Sequence, residues 1–189
     1  MKDKKLILTT GMPGAGKSLV SKAAKMLGIP VLVMGDVVRE EAKKRGLEPT
    51  PQNLGLTAKL LRKEHGDDII AKKTLEKVVL QDSKVVLVDG IRSLPELDFF
   101  RRKVKNLILI AVHASPKTRF KRLLKRGRND DPKTWEEFCE RDRRELEFGI
   151  GGVIALADIM LVNEEIDKNE MFRKAYEVLE KVAEDESDS

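Results

Sequence analysis

A short glycine-rich segment that ends in lysine and serine is the part of this sequence best suited to chemistry. The run GMPGAGKS, from Gly11 to Ser18, has the spacing G-x-x-x-x-G-K-[ST] of a phosphate-binding loop. It follows an apolar run and opens a segment with helical character, which is the context that such a loop requires. Glycines let the backbone turn several N–H groups toward one point, and the helix N-terminus adds its positive dipole end. We therefore expect the phosphates of ATP to contact Gly11, Met12, Pro13, Gly14, Ala15, Gly16, Lys17, Ser18 and Leu19.

Two oxygen-bearing side chains are suited to a magnesium ion. Ser18 would offer its hydroxyl to Mg²⁺, while Lys17 would place its charge on the β- and γ-phosphates and act in catalysis. Asp89 ends the apolar run VVLVD, and we expect that end to lie beside the phosphate loop. An aspartate in that position organises the metal shell in P-loop proteins. ATP and Mg²⁺ are thus the expected ligands.

Short apolar runs alternate with longer, charged segments of helical period. In one such segment, Leu54, Ala58 and Leu61 recur at i, i+4 and i+7. The runs predicted as strands are Leu6–Thr10, Val31–Met34, Val85–Asp89, Leu107–Val112 and Asp158–Asn163. Such alternation predicts an α/β protein with a parallel sheet and right-handed crossovers. We expect one domain over residues 1–189. Residues 36–81 are expected to form a helical excursion that covers and binds the substrate that accepts the phosphoryl group, or alternatively a helical decoration with no ligand role.

Two arginines follow predicted strands directly. Arg39 lies just past the second strand and Arg92 just past the third. Both fall at the carboxyl ends of strands, the edge where doubly wound sheets bind ligands, so they are suited to clamp a second phosphate. An ordinary surface arginine is the alternative for either one. Asp36 is suited to accept a proton from a substrate hydroxyl, or simply to cap the next helix.

The composition narrows the class of protein. The chain has 37 Lys and Arg against 32 Asp and Glu, a formal net charge of +5, which suits an anionic ligand. One cysteine, Cys139, and two histidines argue against a disulfide framework and a zinc site. No run is long enough to span a membrane, so a cytoplasmic protein is expected. Aromatic residues are only 4%, so nucleic acid is possible as a partner but not favoured.

Three segments together resemble a known family. TTGMPGAGKS, MGDVVRE and LVDGIRS look like successive signatures of nucleoside monophosphate kinases, adenylate kinase in particular, and ALADIMLVN is similar to the last strand of dephospho-CoA kinases. Over nearly its full length the chain resembles the archaeal adenylate-kinase-related, dephospho-CoA-kinase-like proteins. The resemblance implies a three-layer α/β/α P-loop NTPase fold with a five-stranded parallel sheet in the order 2-3-1-4-5. It also implies that Arg39 and Arg92 hold the acceptor, with Asp36 near the acceptor group.

A later segment resembles the adenylate kinase lid. Arg126 and Arg128, followed by Asp130 and Asp131, are similar to the arginines and aspartates that flank that lid, but here the two parts are nearly fused. A short lid over residues 126–148 is therefore expected. Its catalytic arginines, Arg126, Arg128 and Arg141, would neutralise charge on the transferred phosphoryl group. Alternatively, these arginines and Arg144 form surface ion pairs with Asp142, Glu145 and Glu147. Trp135, Phe138 and Cys139 are expected to pack inward.

These observations predict a kinase. The expected reaction moves the γ-phosphoryl group of ATP to a small, phosphate-bearing, nucleotide-like acceptor. A kinase of dephospho-CoA or of an RNA hydroxyl is one alternative. A P-loop ATPase that acts as a nucleotide-dependent binding or switch protein is the other. The sequence leaves the acceptor, the preference among nucleoside triphosphates and the oligomeric state open.

Overall fold

Residues 4–128 and 131–184, which the computed structural model describes, contain five strands, separated by one to three helices, and nine helices in all. The strands are β1 (Lys5–Thr10), β2 (Val31–Val33), β3 (Val85–Asp89), β4 (Asn106–His113) and β5 (Ile159–Val162). The helices are α1 (Lys17–Met26), α2 (Met34–Lys44), α3 (Pro51–His65), α4 (Ile69–Val79), α5 (Leu94–Lys103), α6 (Pro116–Arg126), α7 (Trp135–Glu147), α8 (Ile150–Ala155) and α9 (Lys168–Glu184). No helix among these residues is long and apolar enough to cross a membrane.

The five strands form one parallel sheet in the order β2-β3-β1-β4-β5, which confirms the expected fold class. The central strand β1 pairs with β3 on one side and with β4 on the other, so that Leu8 lies opposite both Val88 and Leu109. All strands run the same way, and their carboxyl ends therefore meet at one edge. That edge receives the phosphate loop after Thr10 and the acidic end of β3 at Asp89.

Successive residues of each strand point to opposite faces of the sheet, and each face has its own core. Leu6 and Val86 pack on the face covered by helices of the excursion and by α5. Ile7 and Leu87 pack on the other face, which α1 and α9 cover. Burial on both faces explains why the strands read as continuous apolar runs, and it produces the expected three layers.

The second strand is shorter than predicted. Val33 has extended backbone (φ −101°, ψ 120°) and precedes the first residue of α2, so the strand ends there. Met34 begins α2 and is only 3% exposed. Placing Met34 in the strand was therefore wrong, since its apolar side chain serves the helix–sheet interface rather than the strand. The capping alternative for Asp36 is wrong too, because Val33 occupies the position before the helix and Asp36 lies within the first turn.

Three helices, α2 to α4, occupy the gap between β2 and β3, as the sequence predicts. The break before α3 has a clear cause. The Thr50 hydroxyl accepts the N–H of Asn53 at 3.2 Å, and Pro51 stands in the first turn, where no N–H partner is needed. The same device starts α7, where the Thr134 hydroxyl accepts the N–H of Glu137 at 3.2 Å. The position of the arginines of α7 is thus set by a local cap.

Candidate phosphate-binding site

The loop between β1 and α1 has a backbone that only glycine fits. Gly11 has φ 147° and Gly16 has φ 113°, both outside the range that side-chain-bearing residues favour. A Cβ atom on Gly11 would lie 2.4 Å from the carbonyl oxygen of Val112, and one on Gly16 would lie 2.3 Å from Nδ2 of Asn163. Both glycines are therefore needed for conformation and for close approach to the neighbouring strands.

Side chains from outside the loop hold its carbonyl oxygens. Arg119 donates from Nη1 to the oxygen of Pro13 at 3.3 Å. Asn163 Nδ2 donates to the oxygen of Ala15 at 2.8 Å, and Arg122 Nη1 donates to the same oxygen at 3.4 Å. In a trans peptide the C=O and the following N–H point in opposite directions. The amides after Pro13 and Ala15 therefore face away from α6, toward the concave side of the loop, where an anion would bind.

Lys17 lies over this concave side. Its ammonium donates to the carbonyl oxygen of Gly11 at 2.5 Å. Burial lowers the pKa of Lys17 to about 8, and the charge of Asp89 opposes part of that shift while those of Arg92 and Arg141 add to it. A bound triphosphate would place negative charge beside Lys17 and so favour the charged form of its ammonium. The loop, the start of α1 and Lys17 thus fit a nucleotide phosphate.

The pKa of Lys17 predicts a pH dependence of nucleotide binding. Since the folded-state pKa is lowered to about 8, the free protein loses this positive charge as pH rises through 8. A phosphate binds the charged form better, so ATP affinity should be highest near pH 7 and fall about tenfold per pH unit above 8, until the pKa in the complex is reached. Calorimetric titrations of ATP between pH 6 and pH 10 measure this, and equal affinity at pH 7 and pH 9.5 would contradict it.

Asp89 and Ser18 are placed to hold a magnesium ion. Asp89 accepts hydrogen bonds from the hydroxyls of Thr9 at 2.7 Å and Ser21 at 3.2 Å, so its carboxylate is fixed at the end of β3. Ser18 is exposed in the first turn of α1. Residues 4–128 and 131–184 hold no cluster of three or more acidic, histidine or cysteine ligands. Mg²⁺ with a nucleotide needs only one or two protein oxygens, with phosphate and water completing its shell, so the residues present fit it. When bound, the ion would neutralise charge on the phosphates.

Arg92 lies at the same sheet edge and is paired. It belongs to the loop after β3, and its Nη1 donates to Oε1 of Glu145, on α7, at 3.1 Å. Its backbone N–H donates to Oε2 of Glu96 at 3.0 Å, and Arg62 donates to the other oxygen of Glu96, also at 3.0 Å. The sequence did not single out Glu145 or Glu96 as partners of this arginine, because neither belongs to a motif.

Asp36 and Arg39 pair with each other. Arg39 Nη1 lies 2.5 Å from Asp36 Oδ1 within the first turns of α2, and both side chains are 54% exposed. The charges that act on Lys17 come from Asp89, Arg92, Glu145 and Arg141. Their pairing holds both side chains at the surface of α2. The roles in acceptor binding predicted for Asp36 and Arg39 stay predictions.

Two arginines of the expected lid converge on one aspartate. Arg126 donates to Asp131, with Nε at 2.8 Å from Oδ2, and Arg141 Nη1 lies 3.4 Å from Oδ1. The backbone N–H of Arg128 also donates to Asp131 at 3.1 Å, while Asp130 lies outside the described residues. Burial works to raise the pKa of Asp131, but these hydrogen bonds and charges outweigh it, so the pKa is lowered. The charged form of Asp131 is therefore favoured, and it holds these arginines in place.

The ion pairs of α7 differ from the expected alternative. Asp142 pairs with Arg119 of α6, at 2.5 Å, and Glu145 pairs with Arg92. Arg141 binds Asp131, as described. The expected pairing of Arg141 with Asp142 or Glu145, on the same helix, was therefore wrong. The helix α7 turns these two carboxylates toward α6 and the sheet edge instead.

The aromatic residues of α7 also differ from expectation. Phe138 is buried and Cys139 half-buried, but Trp135 is 41% exposed. Its ring stacks on Phe138 at a centroid distance of 5.1 Å and meets the edge of Phe120 at 5.4 Å. The inward prediction for Trp135 was wrong: the residue begins α7, and much of it stays exposed although its ring meets two aromatic neighbours.

The parallel sheet, the phosphate loop and the charged residues at its carboxyl edge define a protein with a P-loop kinase-like fold. The model of an AAA domain family matches residues 10–139. A relative called UPF0200 protein, from Hyperthermus butylicus, is 58% identical over 84% of this chain and 85% of its own length. Another of the same name, from Staphylothermus marinus, is 50% identical over 97% of this chain and 98% of its own. The chain belongs to the UPF0200 protein family.

Solved structures support the fold assignment. The crystal structure of a shikimate kinase from Bacteroides thetaiotaomicron is similar, with a TM-score of 0.60, 19% identity, and coverage of 95% of this chain and 98% of that one. At this level of identity the likeness shows a shared fold. A kinase thus has the same arrangement of sheet, loop and helices.

Proposed function

We propose that this protein is an ATP-dependent phosphotransferase that acts on a small, nucleotide-like acceptor. One observation carries the proposal: four charges from three parts of the fold act on Lys17. They are Asp89 at the end of β3, Arg92 in the loop that follows, and Arg141 and Glu145 on α7. A simple nucleotide-binding loop needs only the first of these. Charged residues from beyond the loop are what a second substrate requires.

Each group has a role in this proposal. The loop amides, Lys17 and α1 hold the triphosphate, and Ser18 and Asp89 hold Mg²⁺. Arg92, and Arg39 after it leaves Asp36, bind the acceptor. The lid arginines, Arg126, Arg128 and Arg141, stabilise charge on the phosphoryl group in the transition state and exclude water when the lid closes. Asp36 stays the predicted residue near the acceptor group.

A panel of acceptors tests the proposal. The protein is incubated with γ-labelled ATP, Mg²⁺ and one probe at a time: the four common nucleoside monophosphates, dephospho-CoA, a 5′-hydroxyl oligoribonucleotide, or shikimate. We expect at least one nucleotide-like probe to be labelled, at a rate at least tenfold above the release of labelled phosphate to water. Shikimate serves as the control without a nucleotide. Hydrolysis of ATP at one rate with and without every probe would overturn the proposal and favour a nucleotide-dependent switch protein.

A further inference from the structure

The arginines on the acceptor side of the site are each matched by a carboxylate. Arg39 pairs with Asp36, Arg62 with Glu96 and Arg92 with Glu145. Among these described pairs the positive and negative charges are equal in number. A phosphate that serves as the attacking group carries between one and two negative charges at neutral pH and needs a surplus of positive charge. A hydroxyl is neutral and needs a nearby base instead. A buried carboxylate near the transferring end would supply such a base and favours a hydroxyl acceptor.

Glu145 is the carboxylate of this group that lies at the transferring end. Its side chain is only 11% exposed, on the face of α7 that meets the loop after β3. Its charge acts on Lys17, the residue that would hold the γ-phosphate. Asp36, by contrast, is 54% exposed on α2. Asp89 is engaged by Thr9 and Ser21 at the position suited to the metal.

We propose that Glu145 is a catalytic carboxylate, which takes the proton of an acceptor hydroxyl during phosphoryl transfer. The proposal rests on the proposed function and specifies the chemical group that reacts. The hydroxyl oxygen forms a bond to the γ-phosphorus of ATP while the bond from that phosphorus to the β,γ-bridging oxygen breaks. ADP leaves with the bonding electrons, and the hydroxyl proton moves to the Glu145 carboxylate, which releases it to water. The product is a phosphate ester.

The surroundings of Glu145 suit this role. Arg92, from the loop after β3, orients the carboxylate through Oε1 at 3.1 Å and leaves Oε2 for the substrate. Lys17 from α1 and Arg141 from the same helix add positive charge, and Asp89 from β3 adds a negative one.

The first test determines which bond forms. The wild-type protein is incubated with ATP, Mg²⁺ and either a nucleoside monophosphate, which offers both a phosphate and hydroxyls, or dephospho-CoA or a 5′-hydroxyl oligoribonucleotide, which offer hydroxyls to react. Phosphorus NMR distinguishes a phosphate ester from a phosphoanhydride. We expect an ester. An anhydride product would overturn the role of Glu145 while the proposed function stood, whereas labelling of none of the probes would overturn both.

The second test uses Glu145→Gln, which keeps an oxygen for Arg92 and removes the base. We expect kcat to fall by about 10²- to 10⁴-fold, as for loss of a general base. The Kd for ATP, measured by calorimetry, should stay within about twofold, since Glu145 does not hold the donor. A fall in kcat with an unchanged Kd for ATP is what loss of a base produces and what general damage to the site would not.

A matched control separates this effect from damage to α7. Glu147→Gln changes an exposed carboxylate two residues further along the same helix, and it should leave kcat and the midpoint of thermal unfolding unchanged. Full kcat in Glu145→Gln would overturn the proposal. If Glu145→Gln does not fold, Glu145→Asp provides the measurement: it keeps a carboxylate but withdraws it by one methylene, so kcat should fall while the Kd for ATP stays the same, and an unchanged kcat would overturn the proposal.

Discussion

Lys17→Ala should reduce kcat/KM for phosphoryl transfer by about a thousandfold or more while leaving the fold intact. The ammonium is the full positive charge at the loop, and groups that stabilise charge on a transferring phosphoryl are worth about 10³- to 10⁵-fold in rate. Stability should not suffer, because burial lowers the pKa of Lys17 to about 8 and so already works against the charged form in the folded protein. Initial rates with labelled ATP, together with thermal unfolding followed by circular dichroism, measure both expectations.

Lys25→Ala is the matched control for this variant. Lys25 lies on the same helix, exposed in its last turn, so its loss should change neither rate nor stability appreciably. A Lys17→Ala protein that retains full activity would show that the glycine-rich loop is not the site of phosphoryl transfer. A variant that unfolds at a much lower temperature than the wild type would show instead that the hydrogen bond to Gly11 is structural.

The fold was largely predictable, because its information is local. Continuous apolar runs identified five strands, and β3 (Val85–Asp89) has the predicted bounds. The order of the strands came from the resemblance to known kinases, since pairing depends on contacts between distant segments that no run of residues displays. The error at Met34 has the same origin. An apolar residue next to a strand reads as part of it, and only tertiary packing shows that it begins a helix.

The site was predictable only where its residues form a motif. The phosphate loop and Asp89 lie where the spacing and the strand ends placed them. Glu145, Arg119 and Asn163 were missed. Their functions depend on which helix faces which loop, and a single acidic or basic residue on a charged helix carries no signal of its partner. The spacing of Arg119 and Arg122 in α6 offered a hint of a shared contact, because residues at i and i+3 face the same side of a helix.

The largest effect on stability should come from the pair formed by Arg119 and Asp142. Arg119 is 4% exposed and donates through both terminal nitrogens to the Asp142 carboxylate, with Nη1 at 2.7 Å from Oδ1 and Nη2 at 2.5 Å from Oδ2. Its Nε donates to the carbonyl oxygen of Ala114, and its guanidinium lies 5.0 Å from the ring centre of Phe138. This one side chain therefore joins α6, α7 and the phosphate loop.

Arg119→Ala should lower the free energy of unfolding by about 3–5 kcal/mol. Removing one partner of a buried ion pair leaves the other charge desolvated and uncompensated, which costs much more than the pair contributes relative to apolar residues. Asp142→Ala should cost a similar amount. The double variant should cost clearly less than the sum of the two, because no unpaired charge then remains. Chemical denaturation of the three variants and the wild type measures these differences.

Arg173→Ala provides the comparison, since Arg173 pairs with Glu177 at 2.8 Å but both side chains are more than half exposed. Water screens such a pair, and its loss should cost less than about 1 kcal/mol. Arg119→Ala should also weaken ATP binding at temperatures where the variant is folded, because the carbonyl of Pro13 loses its donor and the following amide is no longer held toward the phosphates. Equal stability and equal ATP affinity in Arg119→Ala and Arg173→Ala would show that the loop keeps its shape without α6, and that the buried pair serves neither packing nor binding.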